Sequence, residues 1–291
     1  MSASVAIPPE RAGRAADSAL AERRDQMGQA IAAGMFATQV PAQEEAFAGL
    51  RCLRFRPAGR TPAGYMLQLH GGGFRIGRPE FEGPLCEVLA ERCGIEIIVP
   101  QYRLAPEGPF PAALNDALAA LQALRSDAGD APVIVGGDSA GAGLAASLAV
   151  HSVSNEGPRI DALVLLSPWL DLTVSAPAYQ ANAATDEMFS TASASEAAEL
   201  YLQGFDLRHP LVSPLFADVT GFPPTFVSVG TGEVLADDSL RFHEKLQQAG
   251  VASKLLAIDG MSHVAVVRDR ELPGADETYE AMTAFIDRAL R

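Results

Sequence analysis

A serine set between glycines, where a strand-like run gives way to small helix formers, constrains this chain more than any other feature. The stretch is Gly137-Asp138-Ser139-Ala140-Gly141. Ahead of it stands Pro132-Val133-Ile134-Val135-Gly136, a β-branched run of strand length bounded by Pro and Gly. Behind it stands Ala142-Gly143-Leu144-Ala145-Ala146-Ser147-Leu148-Ala149-Val150, which favours helix. A buried strand therefore has to turn sharply into a helix at the serine. Such a turn needs positions without a Cβ, and it lifts the hydroxyl clear of the sheet edge. The helix start also offers free N–H groups to a developing negative charge.

Alone, the pattern also fits a tight turn carrying a solvated serine. A second motif overlaps it: Gly141-Ala142-Gly143-Leu144-Ala145-Ala146 matches the dinucleotide fingerprint G-x-G-x-x-A. That fingerprint should follow its strand directly, and here Gly-Gly-Asp-Ser-Ala intervenes. A dinucleotide oxidoreductase using Gly141 and Gly143 is thus the weaker rival.

Strand and helix patterns alternate along the chain, which implies a mainly parallel sheet covered on both faces. Residues 9–36 read as one or two weakly amphipathic helices and residues 47–56 as a hairpin. Core strands follow at residues 65–69, 95–99, 133–135, 162–166, 226–229 and 253–258, with helices between them. Residues 173–207 hold no strong strand and read as a helical insertion. The domain reading is N-terminal helices over 1–45, a core over 46–172 and 208–291, and the insertion over 173–207. No internal repeat is present.

A serine hydroxyl needs a base within reach, and the base needs an orienting carboxylate. Of the five histidines, only His263 follows a late core strand, so it is the expected base. His70 belongs to His70-Gly71-Gly72-Gly73-Phe74, where three glycines after a strand expose backbone N–H groups, as an oxyanion hole requires. The acid should leave the strand at 226–229. Glu233 comes first; Asp237 and Asp238 fit helix N-caps. Glu233 is preferred, and Asp237 stays the alternative.

Net charge narrows the partners. At −14, with no Lys/Arg cluster, the chain is not built for nucleic acid or an anionic membrane. No apolar run is long enough to span a bilayer. Three cysteines, Cys52, Cys86 and Cys93, cannot all pair, and without a signal peptide they read as reduced, cytoplasmic thiols. No metal-ligand spacing occurs, and no cofactor is expected.

Jointly, His70-Gly71-Gly72-Gly73, Tyr102-Arg103-Leu104-Ala105-Pro106-Glu107, the Ser139 motif, Ser167-Pro168-Trp169 with Asp171-Leu172, and Glu233-Val234-Leu235-Ala236-Asp237 resemble the hormone-sensitive-lipase-like α/β-hydrolases, the bacterial family IV esterases. The resemblance spans residues 50–270 in the family's order. It implies an α/β-hydrolase fold: a mostly parallel eight-stranded sheet with helices on both faces and a small helical cap from the N-terminal helices and the insertion. It implies oxyanion donors at Gly72, Gly73 and Ala140, and a triad acid at the first acidic position of the Glu233 motif. Many members have Asp there, and many read His-Gly-Phe where this chain reads His263-Val264-Ala265.

The expected protein is a cofactor-free cytoplasmic carboxylesterase acting on small, short-chain esters through Ser139, His263 and Glu233. Phe74 and Trp169 are expected to line the substrate cleft. A lactone or amide hydrolase would use the same triad. A non-catalytic small-ligand receptor, known among the family's relatives, would be expected to lack part of it. A homodimer is admitted but not specified by the sequence.

Overall fold

Runs such as Tyr65-Met66-Leu67-Gln68-Leu69 and Ala162-Leu163-Val164-Leu165-Leu166 have almost no polar face, so the strands they form must be covered on both sides. The computed structural model describes residues 4–291. Its strands are β1 (Gln43–Phe47), β2 (Leu50–Phe55), β3 (Tyr65–Leu69), β4 (Glu96–Pro100), β5 (Val133–Asp138), β6 (Ala162–Leu166), β7 (Thr225–Gly230) and β8 (Ser253–Ile258). They form one sheet in the order β1-β2-β4-β3-β5-β6-β7-β8. The β1–β2 and β2–β4 pairs are antiparallel and the rest parallel.

The helices are α1 (Ser18–Ala32), α2 (Gly83–Cys93), α3 (Ala112–Ala128), α4 (Ser139–Ser154), α5 (Ala178–Ala181), α6 (Thr191–Leu202), α7 (Ala236–Gln248), α8 (Ala265–Arg268) and α9 (Ala275–Ala289). One hydrophobic core joins α3, α4 and the insertion to the sheet, and the other joins α2, α8 and α9 to the opposite face. In α9, Tyr279, Met282, Phe285 and Ile286 make the buried stripe. In α4, every residue from 139 to 150 is buried, because it is enclosed between the sheet, α3 and the loop after β6.

The parallel register aligns the strand ends. Leu69 lies beside Gly137, Asp138 beside Leu166, and Gly230 beside Ile258. The loops after β3, β5, β6, β7 and β8 therefore leave one edge together.

Two expectations shift. The hairpin starts at Gln43 rather than Phe47, with Ala48 and Gly49 turning at φ 51° and 80°. Its first strand opens on exposed Gln and Glu, and so carries no apolar alternation to reveal it. Among the described N-terminal residues the one helix, α1, begins at Ser18 rather than near residue 9, and Leu20 is its one buried residue. The insertion is helical, as α5 and α6. Among the described residues, no helix is long and apolar enough to cross a membrane.

Candidate active site

Asp138 ends β5 in extended geometry, and Ser139 opens α4 at φ 51°. This left-handed conformation is rare for a residue with a side chain. The flanking glycines have steric reasons. A Cβ at Gly137 would overlap the Gly141 backbone, and one at Gly141 would overlap the Leu69 carbonyl. A Cβ at Gly143 would overlap the Trp169 carbonyl. Close helix packing thus accounts for the glycines of the overlapping dinucleotide motif.

Ser139, His263 and Glu233 come together from three loops. His263 Nε2 lies 3.0 Å from Ser139 Oγ, and His263 Nδ1 lies 2.6 Å from Glu233 Oε2. All three are buried. Burial pushes the imidazole toward its neutral form, but the Glu233 carboxylate outweighs it, and the imidazole is held above its ordinary value.

Glu233 Oε1 accepts from Gly230 N–H at 2.6 Å and from Ser167 Oγ–H at 2.8 Å. Ser167 Oγ also accepts from Val264 N–H at 3.2 Å, so one hydroxyl ties the acid to the loop of the base. Sequence reasoning missed this role for Ser167; its signal was a polar residue closing β6 ahead of Pro168. Ser167 and Val264 sit at φ 44° and 49°, and Phe74 at φ 59°. Left-handed residues with side chains thus gather around Ser139.

The other two acids face elsewhere, and neither caps its own helix. Asp237 Oδ2 accepts from Ala178 N–H at 2.8 Å, at the start of α5. Asp238 Oδ2 accepts from Leu170 and Asp171 N–H at 2.8 and 2.9 Å. Both carboxylates hold other loops across the chain.

The glycine loop after β3 meets the serine. A Cβ at Gly72 (φ 114°) would overlap the Ile76 carbonyl, so that position requires glycine. Gly72, Gly73 and Ser139 share a cavity of about 800 Å³. Ala140, second in α4, has an N–H with no partner inside its helix. His70 Nδ1–H donates to the Gly71 carbonyl at 2.8 Å, and its ring stacks on Tyr102 at 4.1 Å. Burial holds His70 down to about 4, so it is a neutral shaping group.

Phe74 and Trp169 do not line this cavity. Phe74 is 3% exposed and stacks on Tyr201 at 3.9 Å; Trp169 is fully buried. Each is one layer behind the wall. Trp169 packs edge-on against Phe189 at 5.4 Å, and Phe189 lines the cavity and stacks on His263 at 6.0 Å. Met35 and Phe36 beyond α1, and Met188 in the insertion, complete an apolar mouth. Among the described residues, no group of His, Cys, Asp and Glu is arranged to hold a metal ion.

Comparison with known proteins agrees with this fold. A family model described as an alpha/beta hydrolase fold matches residues 66–267. The chain is 38% identical over 240 residues to an acetyl-hydrolase of Streptomyces hygroscopicus, covering 80% of this chain and 78% of the relative. It is 32% identical over 244 residues to an ethyl acetate hydrolase of Pseudomonas putida, covering 77% and 73%. The crystal structure of a hormone-sensitive lipase from a metagenome library superposes with a TM-score of 0.88 at 32% identity, covering 96% of this chain and 94% of that one.

Proposed function

Since this chain belongs to the α/β-hydrolase family, in its hormone-sensitive-lipase-like group, and is a carboxylic ester hydrolase, we propose that Ser139, His263 and Glu233 are its catalytic triad and short-chain esters its substrates. The observation that carries the reading is the continuous hydrogen-bonded chain Ser139–His263–Glu233. Ser139 Oγ attacks the ester carbonyl while His263 Nε2 takes its proton. The same proton then passes to the leaving alcohol. Glu233 keeps Nδ1 protonated and stabilises the imidazolium as it forms. Gly72, Gly73 and Ala140 N–H groups receive the tetrahedral oxyanion; losing one such donor costs about 10²–10³ in turnover. Water activated by His263 then releases the acid.

The short-chain preference is supported by the names of two relatives, an acetyl-hydrolase and an ethyl acetate hydrolase. The free cysteines support a cytoplasmic location. The test is a fluorophosphonate label followed by a panel of p-nitrophenyl esters, lactones and anilides. The label is expected on Ser139, with the fastest turnover on acetate or butyrate. Labelling elsewhere, or full activity in Ser139→Ala, would sink the mechanism. Faster turnover of lactones or anilides would move the substrate class.

A further inference from the structure

Beside the nucleophile the protein buries a second pair of acids that this reaction does not use. Asp138 directly precedes Ser139 and is 5% exposed. Glu82, in the turn leading into α2, is fully buried. Both line the catalytic cavity, and their carboxyl groups lie close enough for a proton on one to be shared with the other. Two ionised carboxylates could make no bond to each other, because both only accept.

The remaining partners locate the missing proton. Gln68 Nε2–H donates to Glu82 Oε2 at 2.8 Å. The Gly71 backbone lies against Asp138 Oδ2, where its N–H favours the charged carboxylate. Glu82 Oε1 and Asp138 Oδ1 are left buried, with no donor. A proton on Glu82 Oε1 given to Asp138 satisfies both oxygens and halves the buried charge. Glu82 is the better holder. Burial followed by the charge of Asp138 favours its acid form, whereas Asp138 is also steadied as an anion by His263 and by Gly71 N–H.

We propose that Glu82 is a protonated positioning residue: its carboxylic acid anchors the Asp138 carboxylate, which through Gly71 N–H sets the oxyanion loop against Ser139. Gly71 lies so close to Asp138 Oδ2 that a Cβ there would collide with it, and Gly72 is the next residue in the chain. The proposal rests on the triad reading, since it is the oxyanion donors that are being positioned. Losing the Glu82 proton would place two negative charges side by side next to the developing oxyanion. It would also drive Asp138 from Gly71. Catalysis should therefore fall at alkaline pH through this pair. The other ionisable groups that sense it are Cys86 on α2, Tyr102 after β4 and His263. Burial favours the neutral form of the first two.

The test compares wild type, E82A and E82Q. Glutamine can accept from Gln68 and donate permanently to Asp138. E82A is expected to lose about tenfold to a hundredfold in kcat, the scale of a displaced reacting geometry. E82Q should recover most of that loss and hold its rate further into the alkaline range. Infrared spectra of wild type minus E82Q should show a protonated carboxyl C=O band at neutral pH, over and above the band of Asp238 that both proteins share. Absence of that band in wild type, an unchanged alkaline limb in E82Q, or wild-type kcat in E82A would overturn the proposal. If E82A does not fold, the E82Q profile and the band decide alone. The band requires no turnover, and fluorophosphonate labelling reports on Ser139 separately, so failure of the dyad is distinguishable from failure of the triad.

Discussion

Replacing Glu233 by glutamine should disable the protein through the imidazole tautomer. Glu233 Oε1 takes two donors, Gly230 N–H and Ser167 O–H, while Oε2 takes one, His263 Nδ1–H. In Glu233→Gln the amide oxygen stays with the two donors, since turning the NH₂ toward them would set donor against donor at Gly230 N–H. The NH₂ then faces Nδ1 and requires it to accept. The ring proton moves to Nε2, which lies 3.0 Å from Ser139 Oγ. A donor now stands where the base is needed. The same exchange in a serine-protease triad costs about 10⁴ in turnover, roughly 5.5 kcal/mol of barrier. Asp237→Asn is the control. Its one acceptor bond, to Ala178 N–H, can pass to the amide oxygen, so the loss should stay within about 1 kcal/mol of stability with turnover kept. Measuring kcat/KM and Tm for both variants checks this. A collapse of turnover in Asp237→Asn with Glu233→Gln near wild type would refute the reasoning.

Three further outcomes are expected. The log of kcat/KM should climb with pH along a limb whose midpoint lies above 6.5, because the base must be neutral and Glu233 holds the imidazolium beyond that ordinary value; in Glu233→Gln the residual activity should show the limb moved down. Asp238 is pushed up from 3.8 to about 7 by burial, against the two N–H groups that favour its charge. The native state therefore holds its proton across that window, and the group's contribution to stability, full below 3.8, is lost as pH rises through about 7; the Tm of wild type relative to Asp238→Asn should fall over that range. Arg24 on α1 donates to the Arg75 and Ala105 carbonyls at 2.8 and 2.6 Å and pairs with Glu107. Arg24→Ala should loosen α1 over the cavity and raise KM about tenfold while sparing kcat, read from steady-state kinetics.

Features set by local sterics were legible in the sequence. Ser139 could be placed because a strand-to-helix turn restricts its neighbours to glycine, and His263 because only one histidine followed a late strand. Glu233 could be preferred over Asp237 because distance from a strand end is countable. Properties of side-chain direction were not legible. Phe74 and Trp169 are expected to line the cleft yet stand one layer behind its wall, because the sequence does not say whether an aromatic beside a cavity faces it or backs it. Phe189 sits in a segment without periodicity, so nothing marked it as the ring against His263. Glu82 was hidden for another reason: it lies far along the chain from Asp138, and a buried acid in a short turn looks like any charged residue before a helix. The hairpin was displaced because its first strand is an exposed, charged edge.

Val264 has a consequence for divergence among relatives. It is a β-branched residue held at φ 49°, where the family resemblance leads to the expectation of glycine after the histidine. Such a backbone state costs about 1–3 kcal/mol. The side chain is 8% exposed, and burying a valine returns about 1.5–3 kcal/mol. The two contributions are of the same size and opposite sign. Exchange between valine and glycine is therefore close to silent in folding free energy, and selection on stability leaves the position free to drift. The cavity is not indifferent, because Val264 forms part of its wall. Exchange at this position would widen or narrow the space next to the base, and so shift substrate range with little change in folding free energy.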